Sequence, residues 1–179
     1  MAWNRLLWAL GIVIGLGVWL PTLPLPALAE TKISKGAAIN ADDKTVKEIL
    51  ATFERIEAAL QGRNLEALMA IYSKDFYYQG LKKDDLKRVW TTLFTRYHRM
   101  ASHHIFSQIV VVNGKVPTAE VTCTGGLWAT ADTTGERVRI DSWFEEVHRV
   151  VYEDGAWRIR GHAGEDPKNT LFGVAHPFF

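Results

Sequence analysis

The chain has 179 residues, with 21 Lys plus Arg against 20 Asp plus Glu and a formal charge of +1. So even a balance gives no field for a polyanion or an anionic bilayer, and no nucleic-acid partner is expected. One cysteine, Cys123, excludes an intrachain disulfide framework.

Met1 to Ala29 carries Arg5, an unbroken apolar run from Leu6 to Leu20, then Pro21, Pro24, Pro26 and the small-residue end Ala27-Leu28-Ala29. That order of charge, apolar stretch and A-x-A is a secretory signal peptide, with cleavage expected after Ala29. The apolar run is about 15 residues, short of the roughly 20 that cross a bilayer core, so no stable membrane insertion is expected after cleavage. The mature protein is expected to be periplasmic or secreted. What is left, about 150 residues, is enough for one domain with a core that needs no staples.

Residues 30–42 are small, polar and aperiodic, and read as a flexible lead. Apolar residues then fall at Val46, Ile49, Leu50, Phe53, Ile56 and Leu60, which predicts a helix capped by Asn40 or Asp42. Gln61 to Asn64 breaks it, and Leu65, Leu68, Met69 and Tyr72 predict a second, short helix capped by Asn64. A third helix is predicted over Lys83 to Met100, with Leu86, Trp90, Leu93, Phe94 and Tyr97 on its buried stripe and His98 at the edge of that stripe.

After His103, alternation replaces the helical period. Strands are predicted at 105–112, 119–130, 137–152 and 157–163, divided by Asn113-Gly114, by 132–135 and by Asp154-Gly155. Cys123 shares the alternation of Val121, Leu127 and Ala129, so it is expected to be buried. The domain is expected over 43–166. A tail over 167–179, apolar from Leu171 to Phe179, is expected to pack on the domain or a neighbour.

Gly62-Arg63-Asn64-Leu65-Glu66-Ala67-Leu68, Tyr72-Ser73-Lys74-Asp75-Phe76 and Asp154-Gly155-Ala156-Trp157-Arg158-Ile159, in that order, resemble the nuclear transport factor 2-like superfamily, with its SnoaL-like and ketosteroid-isomerase-like cones. The resemblance implies an α+β fold, in which three N-terminal helices pack in a strongly curved antiparallel sheet, with a pocket at the open end of the cone. It implies company that includes isomerases, dehydratases, polyketide cyclases, epoxide hydrolases and domains that only bind or assemble.

If Asp154 and Gly155 form the turn, Tyr152 lies opposite Trp157, Val150 opposite Ile159 and His148 opposite Gly161. Ser142, Phe144, Glu146, His148, Val150, Trp157, Ile159, Gly161 and Ala163 then share one face. With Tyr77, Tyr78 and Trp90 from the helical half, Ser142, Phe144, Glu146, His148, Trp157 and Gly161 are the candidate ligand pocket. Gly161 and Ala163 leave a void beside the two titratable groups. The other face carries Asp141, Trp143, Glu145, Val147, Arg149, Arg158, Arg160 and His162. Trp143, Arg149, Arg158 and Arg160 are the candidate interface of a homodimer, with Arg149 opposite Arg160 and Glu145 or Asp141 supplying acid.

His148 is the candidate general acid or base, Glu146 the group that orients it, and Tyr78 (or Tyr77) the phenolic donor. His103-His104 are adjacent on a strand and point to opposite faces, so no metal site is expected there. No cofactor is expected, and no nucleophile elbow, zinc-protease helix or phosphate loop is present. Three functions follow: a periplasmic pocket that binds a small, largely apolar molecule, a cofactor-free lyase, isomerase or hydrolase, or a homodimeric assembly module.

Overall fold

In the computed structural model residues 29–163 are described; the leader through residue 28, the tail from residue 164 and the expectations attached to them lie outside the described residues. The first departure comes at once. Glu30–Asn40, expected as a flexible lead, is a strand, β1, that runs parallel to a later strand, β4 (Tyr97–Val112). An edge strand needs a backbone partner rather than an apolar period, and most β1 side chains are exposed, so its composition gave no sign of pairing.

Helix α1 (Asp43–Gln61) starts where the Asp42 carboxylate accepts the Thr45 amide at 2.9 Å and the Thr45 hydroxyl at 2.8 Å. Its predicted stripe faces the core, with Ile49, Phe53, Ile56 and Leu60 fully enclosed and Leu50 partly buried at its edge. Helix α2 (Leu65–Met69) is capped by the Asn64 side chain, which accepts the Ala67 amide at 3.0 Å. A small hairpin, β2 (Tyr77–Tyr78) and β3 (Leu81–Lys82), precedes α3 (Lys83–Arg96).

Helix α3 is shorter than predicted. Tyr97 to Met100 belong to β4, with Tyr97 opposite Ala131 and His98 opposite Thr130, so His98 is a strand residue. Met100 is buried in the strand as it would be in a helix, so the stripe alone could not choose between them. The long ladder to β5 decides it.

Strands β5 (Thr118–Ala131), β6 (Arg137–Glu153) and β7 (Ala156–Ala163) complete a five-stranded sheet in the order β1-β4-β5-β6-β7. The sheet is mixed rather than wholly antiparallel, because β1 is parallel to β4. Helix α1 packs against both β4 and β7. Two strands lie between those, about 14 Å of flat sheet at the usual spacing, so the sheet must curl around the helix. The curl is pinned on the α2 side, where Ser73 donates its amide to the Ile159 carbonyl at 2.8 Å and Ile159 donates to Ile71 at 2.9 Å. Inside, Trp90 donates Nε1–H to the Tyr72 hydroxyl at 3.1 Å, and Phe53 meets Phe106 edge to face. Phe53→Ala would cost about 3–5 kcal/mol by cavity formation.

Candidate functional site

The site is made by two irregularities, one on each border of β6. Near the turn, the register is as the Asp154-Gly155 arithmetic predicts, with Tyr152 opposite Trp157 and Val150 opposite Ile159. Between Val150 and Arg149 the pairing shifts by one residue. Arg149 then faces Gly161, and His148 faces His162 rather than Gly161. The bulge turns His162 to the inner side, while Arg160 stays exposed. A second shift lies between β5 and β6 at Glu145, whose φ is +50° and whose amide donates to Thr124 Oγ1 at 3.0 Å. It brings both Trp143 and Glu146, three residues apart, inward.

These shifts gather Glu146, His148 and His162, all buried, at one place on the inner face. His162 Nδ1 lies 2.9 Å from Glu146 Oε1 and 3.1 Å from His148 Nδ1. Aromatic rings enclose the group: Tyr78 is 4.7 Å and Phe76 6.4 Å from the His162 ring, and Phe53 is 5.8 Å from the His148 ring. Burial pushes His148 well below the ordinary histidine pKa, with His162 and His104 adding repulsion, so its imidazole is neutral at neutral pH.

A second buried carboxylate stands near. Glu57 accepts the Ser102 amide at 3.1 Å and the Ser102 hydroxyl at 2.5 Å, and lies 3.4 Å from His104 Nδ1. His104 is itself pushed below its ordinary pKa by burial, against the pull of Glu57. His103, on the opposite face, stacks on Trp128 with ring centroids 4.9 Å apart. The half-buried His98 meets Asp132 at 2.5 Å.

A cleft of about 480 Å³ borders the cluster. Asp75, Tyr77, Val110, Arg149, Arg160 and His162 are among the residues that line it. His162 is the one member of the buried cluster that reaches this wall.

The structure brings the three candidate catalytic residues, His148, Glu146 and Tyr78, around His162, which the sequence reading had put on the other face. The candidate pocket is dispersed. Tyr77 and Gly161 line the cleft, whereas Tyr78, Trp90 and Trp157 are buried in the core. Ser142 and Phe144 are exposed, Phe144 to 79 %, because the Glu145 bulge reverses their side, so neither faces the interior. The void expected beside Gly161 is filled: a Cβ there would stand 2.5 Å from the Tyr77 carbonyl oxygen.

The candidate interface changes too. Trp143 is buried, and its Nε1–H points to Cys123 Sγ at 3.4 Å, so it presents nothing to a partner. Arg149 is not opposite Arg160; it lies 3.6 Å from Glu120, a role expected of Glu145 or Asp141. Asp141 is buried. Arg158 is half-buried, 3.6 Å from Glu153, and bonds the Ala70 carbonyl. Arg160 is exposed at the cleft.

The sequence model of the SnoaL-like domain family matches residues 44–162. The chain belongs to the SnoaL-like domain family. Its fold is shared with a conserved protein from Planctomyces limnophilus at 16 % identity and a TM-score of 0.58, over 69 % of this chain and 96 % of that one. A candidate aromatic ring hydroxylase from Novosphingobium aromaticivorans is similar at 12 % identity and a TM-score of 0.54, covering 69 % of this chain and 89 % of its own. A candidate scytalone dehydratase from the same species is similar at 13 % identity and a TM-score of 0.50, over 66 % and 81 % of the two chains. Among curated proteins no match was found. At these identities the likeness is one of fold. The SnoaL-like match leaves out the whole of β1, which ends before its first residue.

Proposed function

We propose that this SnoaL-like protein binds a small, largely apolar molecule in the cleft between Tyr77 and the β6–β7 hairpin. The observation that carries the reading is the wall of that cleft, where His162 is held by buried Glu146. The volume, about 480 Å³, lies in the range of small-molecule sites. Valines and Tyr77 offer apolar contact, and Arg160 offers a charge at the rim. Native mass spectrometry of the mature protein purified from its host tests this. The expected result is a retained small molecule, lost when Val112→Trp fills the cleft at an exposed wall position. A wild-type spectrum with no adduct, and no small apolar compound bound on screening, would refute it.

One contact favours a second reading, turnover. A carboxylate at 2.9 Å from an imidazole orients the ring and supports its proton, the pairing that general acid–base catalysis uses. Here His162 rather than His148 would exchange the proton, Glu146 would orient it and Tyr78 would stand beside it. Two solved structures that share the fold carry candidate enzyme names, an aromatic ring hydroxylase and a scytalone dehydratase, which supports a reading with turnover. Loss of turnover in His162→Gln with the melting temperature retained is the expected outcome.

Export to the periplasm, with cleavage after Ala29, is supported by the leader's charge, apolar run and A-x-A end. Homodimerisation is supported by exposed Phe144 and by exposed Arg149 and Arg160 on the same sheet. N-terminal sequencing and solution mass test the two.

A further inference from the structure

Glu146, His148 and His162 converge in a way that neither small-molecule binding nor an orienting pair requires. One ligand atom from each lies within 4.8 Å of the other two, and all three residues are buried. The two measured edges are 3.1 Å between the Nδ1 atoms of His148 and His162, and 2.9 Å from His162 Nδ1 to Glu146 Oε1. Two nitrogens and an oxygen bound to one zinc-sized ion at about 2.0–2.2 Å stand roughly 3.3 Å apart in tetrahedral geometry. Each observed edge therefore opens by only a few tenths of an ångström to admit an ion.

Proton bookkeeping in the bare cluster points the same way. A single hydrogen on His162 Nδ1 must serve both the carboxylate and the facing nitrogen of His148. If the hydrogen sits on His148 Nδ1 instead, the lone pair of His162 is turned on the carboxylate. Either choice also leaves Nε2 of both imidazoles without a hydrogen-bond partner in the protein. Three possible ligand atoms within 4.8 Å of one another are what a cation uses. The rings around the two imidazoles, Phe53 beside His148 and Tyr78 with Phe76 beside His162, are aromatic.

We propose that Glu146, His148 and His162 form a binding site for one divalent transition-metal ion, entered from the cleft through His162. Two imidazoles and one carboxylate select Zn²⁺, Co²⁺ or Fe²⁺ over Mg²⁺ and Ca²⁺, which take all-oxygen shells. Three protein ligands leave coordination room for a molecule in the cleft, the pattern of catalytic rather than structural zinc. The site stands independently of cleft binding, and it replaces the cofactor-free account of the same imidazoles.

The test uses the mature chain after dialysis against chelator, titrated with Zn²⁺ by calorimetry and with Co²⁺ by visible absorption. One equivalent is expected, with the intense ligand-field bands of low-coordinate Co²⁺, and ¹⁵N resonances of His148 and His162 shifting at Nδ1. Glu146→Gln, which keeps size and one acceptor, should weaken Zn²⁺ more than about tenfold, and His148→Ala should do so further. His98→Ala and His103→Ala, away from the cluster, should change nothing. No binding by the wild-type chain overturns the proposal. So does binding that survives Glu146→Gln but disappears in His98→Ala, which would mark a surface site. If His148→Ala fails to fold, Glu146→Gln and the wild-type ¹⁵N shifts decide. Retention of a small molecule by a chain that takes no metal would sink this site and spare the cleft.

Discussion

His148 and His162 face each other across β6 and β7, Nδ1 to Nδ1 at 3.1 Å, because a one-residue bulge at Arg160 turns His162 inward. If Arg160 instead paired in regular register with Arg149, His148 would face a glycine and His162 would turn to the outer side. The whole inner cluster depends on this irregularity.

The glycine that makes the bulge possible is the first place to test it. Gly161 has φ +153°, and a Cβ there would come within 2.5 Å of the Tyr77 carbonyl oxygen. Gly161→Ala is expected to lose about 1–3 kcal/mol of stability. A urea midpoint that falls with an unchanged slope would show it, and an unchanged midpoint would contradict the geometry.

Removing Glu146 should be costly in the metal-free protein as well. Its side chain is 2 % exposed against a His162 that is wholly enclosed. Glu146→Ala strands a buried imidazole, at about 1–3 kcal/mol, and Glu146→Gln, which still accepts an N–H, should lose less. Denaturation of the two variants side by side separates them.

His104 gives a pH dependence whose sign can be worked out. Burial holds its folded pKa below 6.5, so below pH 6.5 the unfolded chain takes up a proton that the folded chain refuses. Stability is therefore full above about pH 6.5 and declines as the pH falls from there toward the folded pKa. Urea unfolding at pH 7.5 and 5.5 should show the decline, and His104→Gln should make it shallower, leaving the part of the same sign that buried His148 contributes.

Cys123 behaves in the opposite sense. Burial pushes its thiol from 9.0 up to about 12, so above pH 9 the unfolded chain loses a proton that the folded chain keeps, and stability falls as the pH rises. The native thiol should resist iodoacetamide at pH 8 and react once urea unfolds the chain. Fast labelling of the folded protein would show that the strand does not enclose it.

Much of this was legible in the sequence. The periodic stripe from Val46 to Leu60, the Asp42 and Asn64 caps and the Asp154-Gly155 turn are local patterns with local causes, and each stands in the structure. What escaped are features decided by distant partners. Tyr97 to Met100 leave the helix for a ladder with β5, and Trp143 and Phe144 exchange sides at a bulge that no residue type announces. His162 was misplaced for the same reason. Its one signal was Gly161, since a glycine inside a strand often marks a bulge.

Strand β1 also carries a consequence for how the protein is handled. Its eleven residues begin directly after the expected leader cleavage point and shield one border of β4, a strand of 16 residues. A chain trimmed to start at Asp43 would keep the helical stripe and most of the cone, yet bare a long row of amides and carbonyls ready to zip onto another copy. The eleven residues after the leader thus act as the sheet's selvedge, and a protease that nicks past Asn40 would turn a self-contained protein into a sticky one.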